Sequence, residues 1–277
     1  MGHMTAAVAI NGSGPYHFMV DSGAERSVIA DDLALRLGLS AQGDALIEGL
    51  IRTEPTRLVL IRQLALGGLV CSRLQVPTLP RAALGADGYL GLDVIDNHRL
   101  IMNFAARTLT ITRPQGFFAS LWRGEDEVLV RTMGDSGRLR SSDCHVDSVR
   151  ATAFIDTGAA VSVANSVLYD ALRLHSPAMH PIGAVQLSGV TGGSVNAFVV
   201  GAREIALGRL TLTYCPLAVA NLQVFRTWGL ADQPALLLGI NALRRLATVS
   251  IDYGRKELRF ELTQSALGEQ VVDSRLT

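Results

Sequence analysis

The sequence predicts an all-β protein of two homologous β-barrel lobes with a cleft between them. Three observations lead there. Apolar residues make up 48% of the 277 residues, yet they fall in short stretches that suit buried strands better than long helices. One signature occurs twice: Phe18-Met19-Val20 delivers Asp21 into Ser22-Gly23-Ala24, and Phe154-Ile155 delivers Asp156 into Thr157-Gly158-Ala159. Around each copy the same landmarks follow in the same order, as a duplicated unit with drifting loops produces.

The elements can be taken in chain order. Val8-Ala9-Ile10, an Asn11-Gly12 turn and the strand into Asp21 read as a hairpin, because Asn-Gly supplies the positive φ of a tight two-residue turn. The second copy has Asp147-Ser148 at that turn. A short helix follows each signature. Asp31 or Asp32 is the expected cap of Leu33–Leu37, with Gly38 at its stop; Asn165 or Ser166 is the expected cap of Val167–Leu172. A flap hairpin should come next in each copy. In the second, the glycine-rich stretch Leu187–Ser194 puts Gly189, Val190, Thr191 and Gly192 at the tip. In the first, Ile47–Pro55 puts Gly49, Leu50 and Ile51 there, and its charges leave an ordinary surface hairpin as the competing reading.

Leu66-Gly67-Gly68-Leu69 then corresponds to Leu207-Gly208-Arg209-Leu210, and Tyr89-Leu90-Gly91 to Leu237-Leu238-Gly239. Met102-Asn103-Phe104 pairs with Ile251-Asp252-Tyr253. Each opens a hairpin into a last strand, Leu109-Thr110-Ile111 or Leu258-Arg259-Phe260. Residues 113–127, with Pro114, Gly116, Gly124 and the acidic Glu125-Asp126-Glu127, read as the connection between lobes placed at 5–118 and 119–277. A third Asp-Ser-Gly, Asp135-Ser136-Gly137, follows no apolar strand and has no duplicated context, so it reads as a surface turn. Asp93, after Tyr89-Leu90-Gly91-Leu92, reads as a cap or loop residue rather than a third acid.

Composition excludes several chemistries. Basic and acidic residues balance at 25 each, so there is no electrostatic case for nucleic acid or an anionic surface. Cys71, Cys144 and Cys215 are odd in number and show no Cys-x-x-Cys spacing, which argues against a disulfide framework and against zinc. The histidines form no metal motif, no nucleophile elbow exists, and Gly192-Gly193 lacks the lysine of a phosphate loop. No apolar run approaches the ~18–20 residues of a membrane span. Met1-Gly2-His3-Met4 reads as a cloning remnant, which leaves the native leader, anchor and compartment open.

The two signatures with their later apolar-apolar-Gly elements resemble the aspartic peptidases. Each half is similar to a retropepsin-type lobe, with Ala24, Ala159, Ser27 and Ser162 favouring that side of the clan over pepsin. The resemblance implies two retropepsin/pepsin-like barrels and an interlobe cleft holding one carboxyl from each lobe. It implies an endopeptidase working on a polypeptide through a water activated by Asp21 and Asp156, with no cofactor or metal. Ser22 and Thr157 would bond across the lobes, Gly23 and Gly158 would let amides approach the carboxylates, and the flaps would close the cleft. Two carboxyls held close share one proton, because both cannot ionise cheaply. In the viral pattern an arginine follows the glycine of the second element; here Leu92 and Ile240 stand there. That missing ion pair removes a support of an obligate dimer, and a monomer is expected because one chain already carries both lobes. The balance of acids and bases suggests a mildly acidic to neutral optimum. A catalytically inactive, peptide-binding scaffold is the alternative.

Overall fold

The computed structural model describes residues 4–113, 127–132 and 140–262. The Asp135-Ser136-Gly137 turn, almost all of the interlobe connection with the 118/119 boundary, and the polar tail lie outside those residues.

The expected all-β, two-lobed architecture is present as two closed six-stranded barrels. Around the first run Thr5–Ile10, Ser13–Val20, Gly88–Leu90, Val28–Ala30, Leu69–Leu79 and Thr53–Leu66. The pairs Ala9↔Ala65 and Ile10↔Leu64 close the ring. The second repeats that order with Arg140–Val146, Val149–Ile155, Ala235–Leu238, Val163–Ala164, Leu210–Val219 and Ser194–Leu207, closed by Cys144↔Leu207 and Val146↔Ile205. Alternation fixes which face is inside: in Thr5–Ile10, Ala6, Val8 and Ile10 are buried while Thr5 and Ala7 are exposed. Closure removes the free edges that a seven-stranded open sheet would leave.

The opening hairpins turn as expected. Asn11 and Gly12 have φ of 51° and 83°, and Asp147 and Ser148 take the same handedness at 43° and 74°. The second turn lacks glycine, and Asp147 offsets the strain by accepting the Glu204 amide at 2.8 Å. Asn165 caps the helix Ser166–His175 through the Leu168 amide. The first helix departs from expectation. It spans Asp31–Arg36, and Ala30 stands at its cap with no side-chain bond. Asp31 and Asp32 lie inside the first turn, where Asp32 pairs with Arg81 instead.

Beyond each barrel, one extra strand pairs only with its hairpin neighbour: Ser40–Glu48 with Thr53–Leu66, and Gly183–Ser188 with Ser194–Leu207. These are the hairpins expected as flaps. Between the lobes lies a five-stranded antiparallel sheet ordered Glu127–Arg131, Glu257–Glu261, Thr248–Asp252, Arg99–Asn103 and Thr108–Thr112. Its central pair joins the first strands of the two closing hairpins, one from each half, Thr248↔Asn103 through Asp252↔Arg99. The lobes are therefore fastened by backbone pairing and by a shared core containing Leu100, Met102, Val249, Ile251, Leu258 and Phe260.

Candidate active site

Each signature aspartate leaves its barrel at the same structural point. The strands ending at Val20 and Ile155 run parallel to Gly88–Leu90 and Ala235–Leu238. The Asp21 amide donates to Leu90 O, and the Asp156 amide to Leu238 O, each at 3.0 Å. The following glycines have no room for a side chain: a Cβ on Gly91 would lie 2.5 Å from the Arg26 carbonyl carbon, and one on Gly239 2.6 Å from Val161 O. Gly91 and Gly239 amides donate to Ser27 Oγ and Ser162 Oγ at 3.0 Å. Those hydroxyls pass the bond on, Ser27 to Asp93 and Ser162 to Asn241. Asp93 thus holds the loop of Asp21 from behind.

Within each turn the carboxylate is cradled by its own backbone. Gly23 and Ala24 amides donate to Asp21 Oδ1 at 2.8 and 3.2 Å; Gly158 and Ala159 amides donate to Asp156 Oδ1 at 2.9 and 3.1 Å. The middle residues cross over. The Ser22 amide donates to Thr157 Oγ1 and the Thr157 amide to Ser22 Oγ, both at 3.0 Å. Each hydroxyl then donates onward into the opposite strand, Ser22 to Ile155 O and Thr157 to Val20 O. Four buried bonds lock the turns face to face, and each polar atom is satisfied by the other lobe.

The two carboxyls meet across that seam and interact directly. Asp156 is 3% exposed, whereas Asp21 is half-buried. Burial first, and then the charge of Asp21, push Asp156 well above the usual carboxylate range, against the pull of the Gly158 and Ala159 amides. Burial and both aspartates also push the Tyr89 phenol up to about 12, so it stays a neutral donor to Leu84 O.

An aspartyl protease family model matches residues 6–94 and 142–242, one stretch in each lobe. The chain belongs to the aspartyl protease family. No curated protein matches it.

The other residues expected at the site of this aspartyl protease family member lie at the tips of the two hairpins. Gly49, Leu50 and Ile51 form the tip of the first and Gly189–Gly192 the tip of the second, and the tips touch. Arg52 Nε donates to Thr191 O at 3.0 Å, and Thr191 Oγ1 returns a bond to Arg52 O at 2.8 Å. Leu50 and Ile51 pack on an apolar cluster that includes Ala159, three residues beyond Asp156. Leu92 and Ile240, where the viral arginine is missing, are buried in the core.

Sequence reasoning passed over three contributors. Asn241 was hidden because an amide replaces the acid of the other lobe. Gln223 lies in a segment, 220–234, that is much longer than its counterpart 80–87 in the first half. Tyr253, aligned with Phe104, follows the interlobe strand and is fully enclosed behind the turns. Its hydroxyl is directed toward Ser22 without meeting hydrogen-bond geometry with it. Among the described residues no group of histidines, cysteines and acids is arranged to hold a metal.

Proposed function

We propose that the chain is an aspartic endopeptidase that acts as a monomer, with Asp21 and Asp156 as its catalytic pair and a polypeptide as substrate. The observation that carries this reading is the reciprocal cradle: two carboxyls from matched turns, each held by two amides, facing one another across a hydroxyl lock. The asymmetry in burial favours one division of roles. Asp156 holds the shared proton, and the more exposed Asp21 is the ionised base.

The chemistry follows from those roles. A water between the carboxyls loses a proton to Asp21 as its oxygen bonds to the scissile carbonyl carbon. Asp156 donates its proton to the carbonyl oxygen, giving a neutral gem-diol. Asp21 then gives its proton to the amide nitrogen, the C–N bond breaks, and a diol hydroxyl returns a proton to Asp156. The amine and the carboxylic acid leave with the pair restored. Amides on the Oδ1 atoms fix both carboxyls before substrate arrives, so little reorganisation is needed during reaction. The lobe boundary at 118/119 fits one carboxyl per duplicated unit.

A peptide-library digest across pH, with and without a pepstatin-type inhibitor, tests the reading. Cleavage by the parent that is lost in both Asp21→Asn and Asp156→Asn is the expected result. Equal cleavage by either variant overturns the dyad, and retained peptide binding without cleavage in the parent moves the assignment to a scaffold.

A further inference from the structure

The two flaps are not equivalent. Flap two, at Gly189–Gly193, bonds to itself and to Arg52 of flap one. Flap one also reaches the body of the opposite lobe. The Val224 amide donates to Leu50 O at 3.3 Å, and Gln223 Nε2 donates to Thr53 Oγ1 at 2.6 Å. Leu50 and Ile51 lie against the same region, beside Leu222, Val224, Phe225 and Trp228.

That region is a rigid platform peculiar to lobe two. Residues 220–234 join Val219 to Ala235, whereas the shorter stretch 80–87 joins the matching strands of lobe one. Trp228 stacks on Phe154 with ring centroids 4.3 Å apart. The buried Asn165 pins the far side, donating to Leu230 O and Gln233 O at 2.9 and 2.8 Å while accepting the Leu168 and Ala235 amides. In lobe one the corresponding helix Arg81–Leu84 turns its arginine to Asp32 and Asp87. It makes no equivalent platform.

We infer that Gln223 and Val224 are positioning residues: they seat the first flap on lobe two, and the first flap in turn bonds the tip of the second through Arg52 and Thr191. Resting on the peptidase reading, this ties opening of the cleft on the first flap's side to release of that seat. The bonds at Gln223 and Val224 must break before the first tip can lift, and closing over a peptide re-forms them. Substrate capture therefore depends on a contact remote from the chemistry.

The test uses two near-isosteric variants, Gln223→Leu and Thr53→Val, each removing the same side-chain bond. Amide exchange of residues 47–54, followed by mass spectrometry, should quicken about three- to tenfold in both, the range of one net hydrogen bond. Exchange in the barrel strands should stay at the parent rate. On a cleaved peptide, KM should rise severalfold with kcat held. Unchanged flap exchange in both variants overturns the seat, as does an equal rise throughout the barrels. The exchange measurement needs no turnover, so it still tests the seat if the chain proves not to cleave peptides.

Discussion

Gly158 faces Asp21 so closely that a Cβ on it would lie 2.5 Å from Asp21 Cγ, and Gly23 stands to Asp156 in the same way at 2.9 Å. Each glycine is thus small for the sake of the other lobe's carboxyl. Gly158→Ala should drive Asp21 out of register with Asp156. Peptidase activity is expected to fall at least about a hundredfold, the scale set by ångström misplacement of a reacting group. Circular dichroism should keep its β signature. Activity within a factor of two of the parent would show that the pair tolerates the displacement.

The hydroxyl lock predicts non-additivity. Ser22→Ala and Thr157→Ala each delete one donated and one accepted buried bond and strand an amide and a carbonyl in the opposite lobe. Each should cost about 2–3 kcal/mol in chemical denaturation. The double variant should cost less than the sum, because loosening the seam by the first deletion already weakens the bonds that the second removes. Strict additivity would mean that the two turns are held independently.

The raised Asp156 also makes a stability prediction. Its proton is bound more tightly in the folded chain than in the unfolded one, so stability falls as pH rises from the ordinary carboxylate value toward the folded value. Asp156→Asn removes that penalty. The variant should melt above the parent at neutral pH, with the gap closing as pH drops to about 4. A gap that does not vary with pH would place the effect in packing rather than in the proton. The same shift keeps the singly protonated pair populated into the neutral range, which extends the upper limb of the activity profile.

Tyr253 and Phe104 are equivalents that differ by one oxygen. The Tyr253 hydroxyl is enclosed without a hydrogen-bond partner. Tyr253→Phe should leave stability unchanged or raise it by up to about 1 kcal/mol, since a desolvated polar group is removed. A loss above about 1 kcal/mol in urea denaturation would mean that the Ser22 contact is a real bond in solution.

Much of the fold was readable because it repeats. Asp21, Asp156 and the glycines announce themselves by type and spacing, and the tight turns at Asn11-Gly12 and Leu66-Gly67-Gly68-Leu69 follow from local backbone preference. The first helix was misread at its cap because Asp31 and Asp32 fit an N-cap locally, while Arg81, brought close only by tertiary folding, claims Asp32. Gln223 escaped for the opposite reason. It belongs to a segment that has outgrown its twin at 80–87, and its partner Thr53 lies 170 residues away. Neither the unequal burial of the aspartates nor the hydroxyl behind Ser22 follows from spacing, since both arise where two copies of one plan meet.

The sheet between the lobes has a consequence for how the chain is made. Arg99 donates to Ser250 across the central strand pair, and the two are 151 residues apart in sequence. At roughly 5–20 residues per second, the first lobe waits on the order of ten to thirty seconds on the ribosome before its partner strand exists. Throughout that interval the edge of Arg99–Asn103 is an open template for any neighbouring nascent chain. Polysome crowding is then a hazard built into this architecture, and slower initiation should raise its soluble yield.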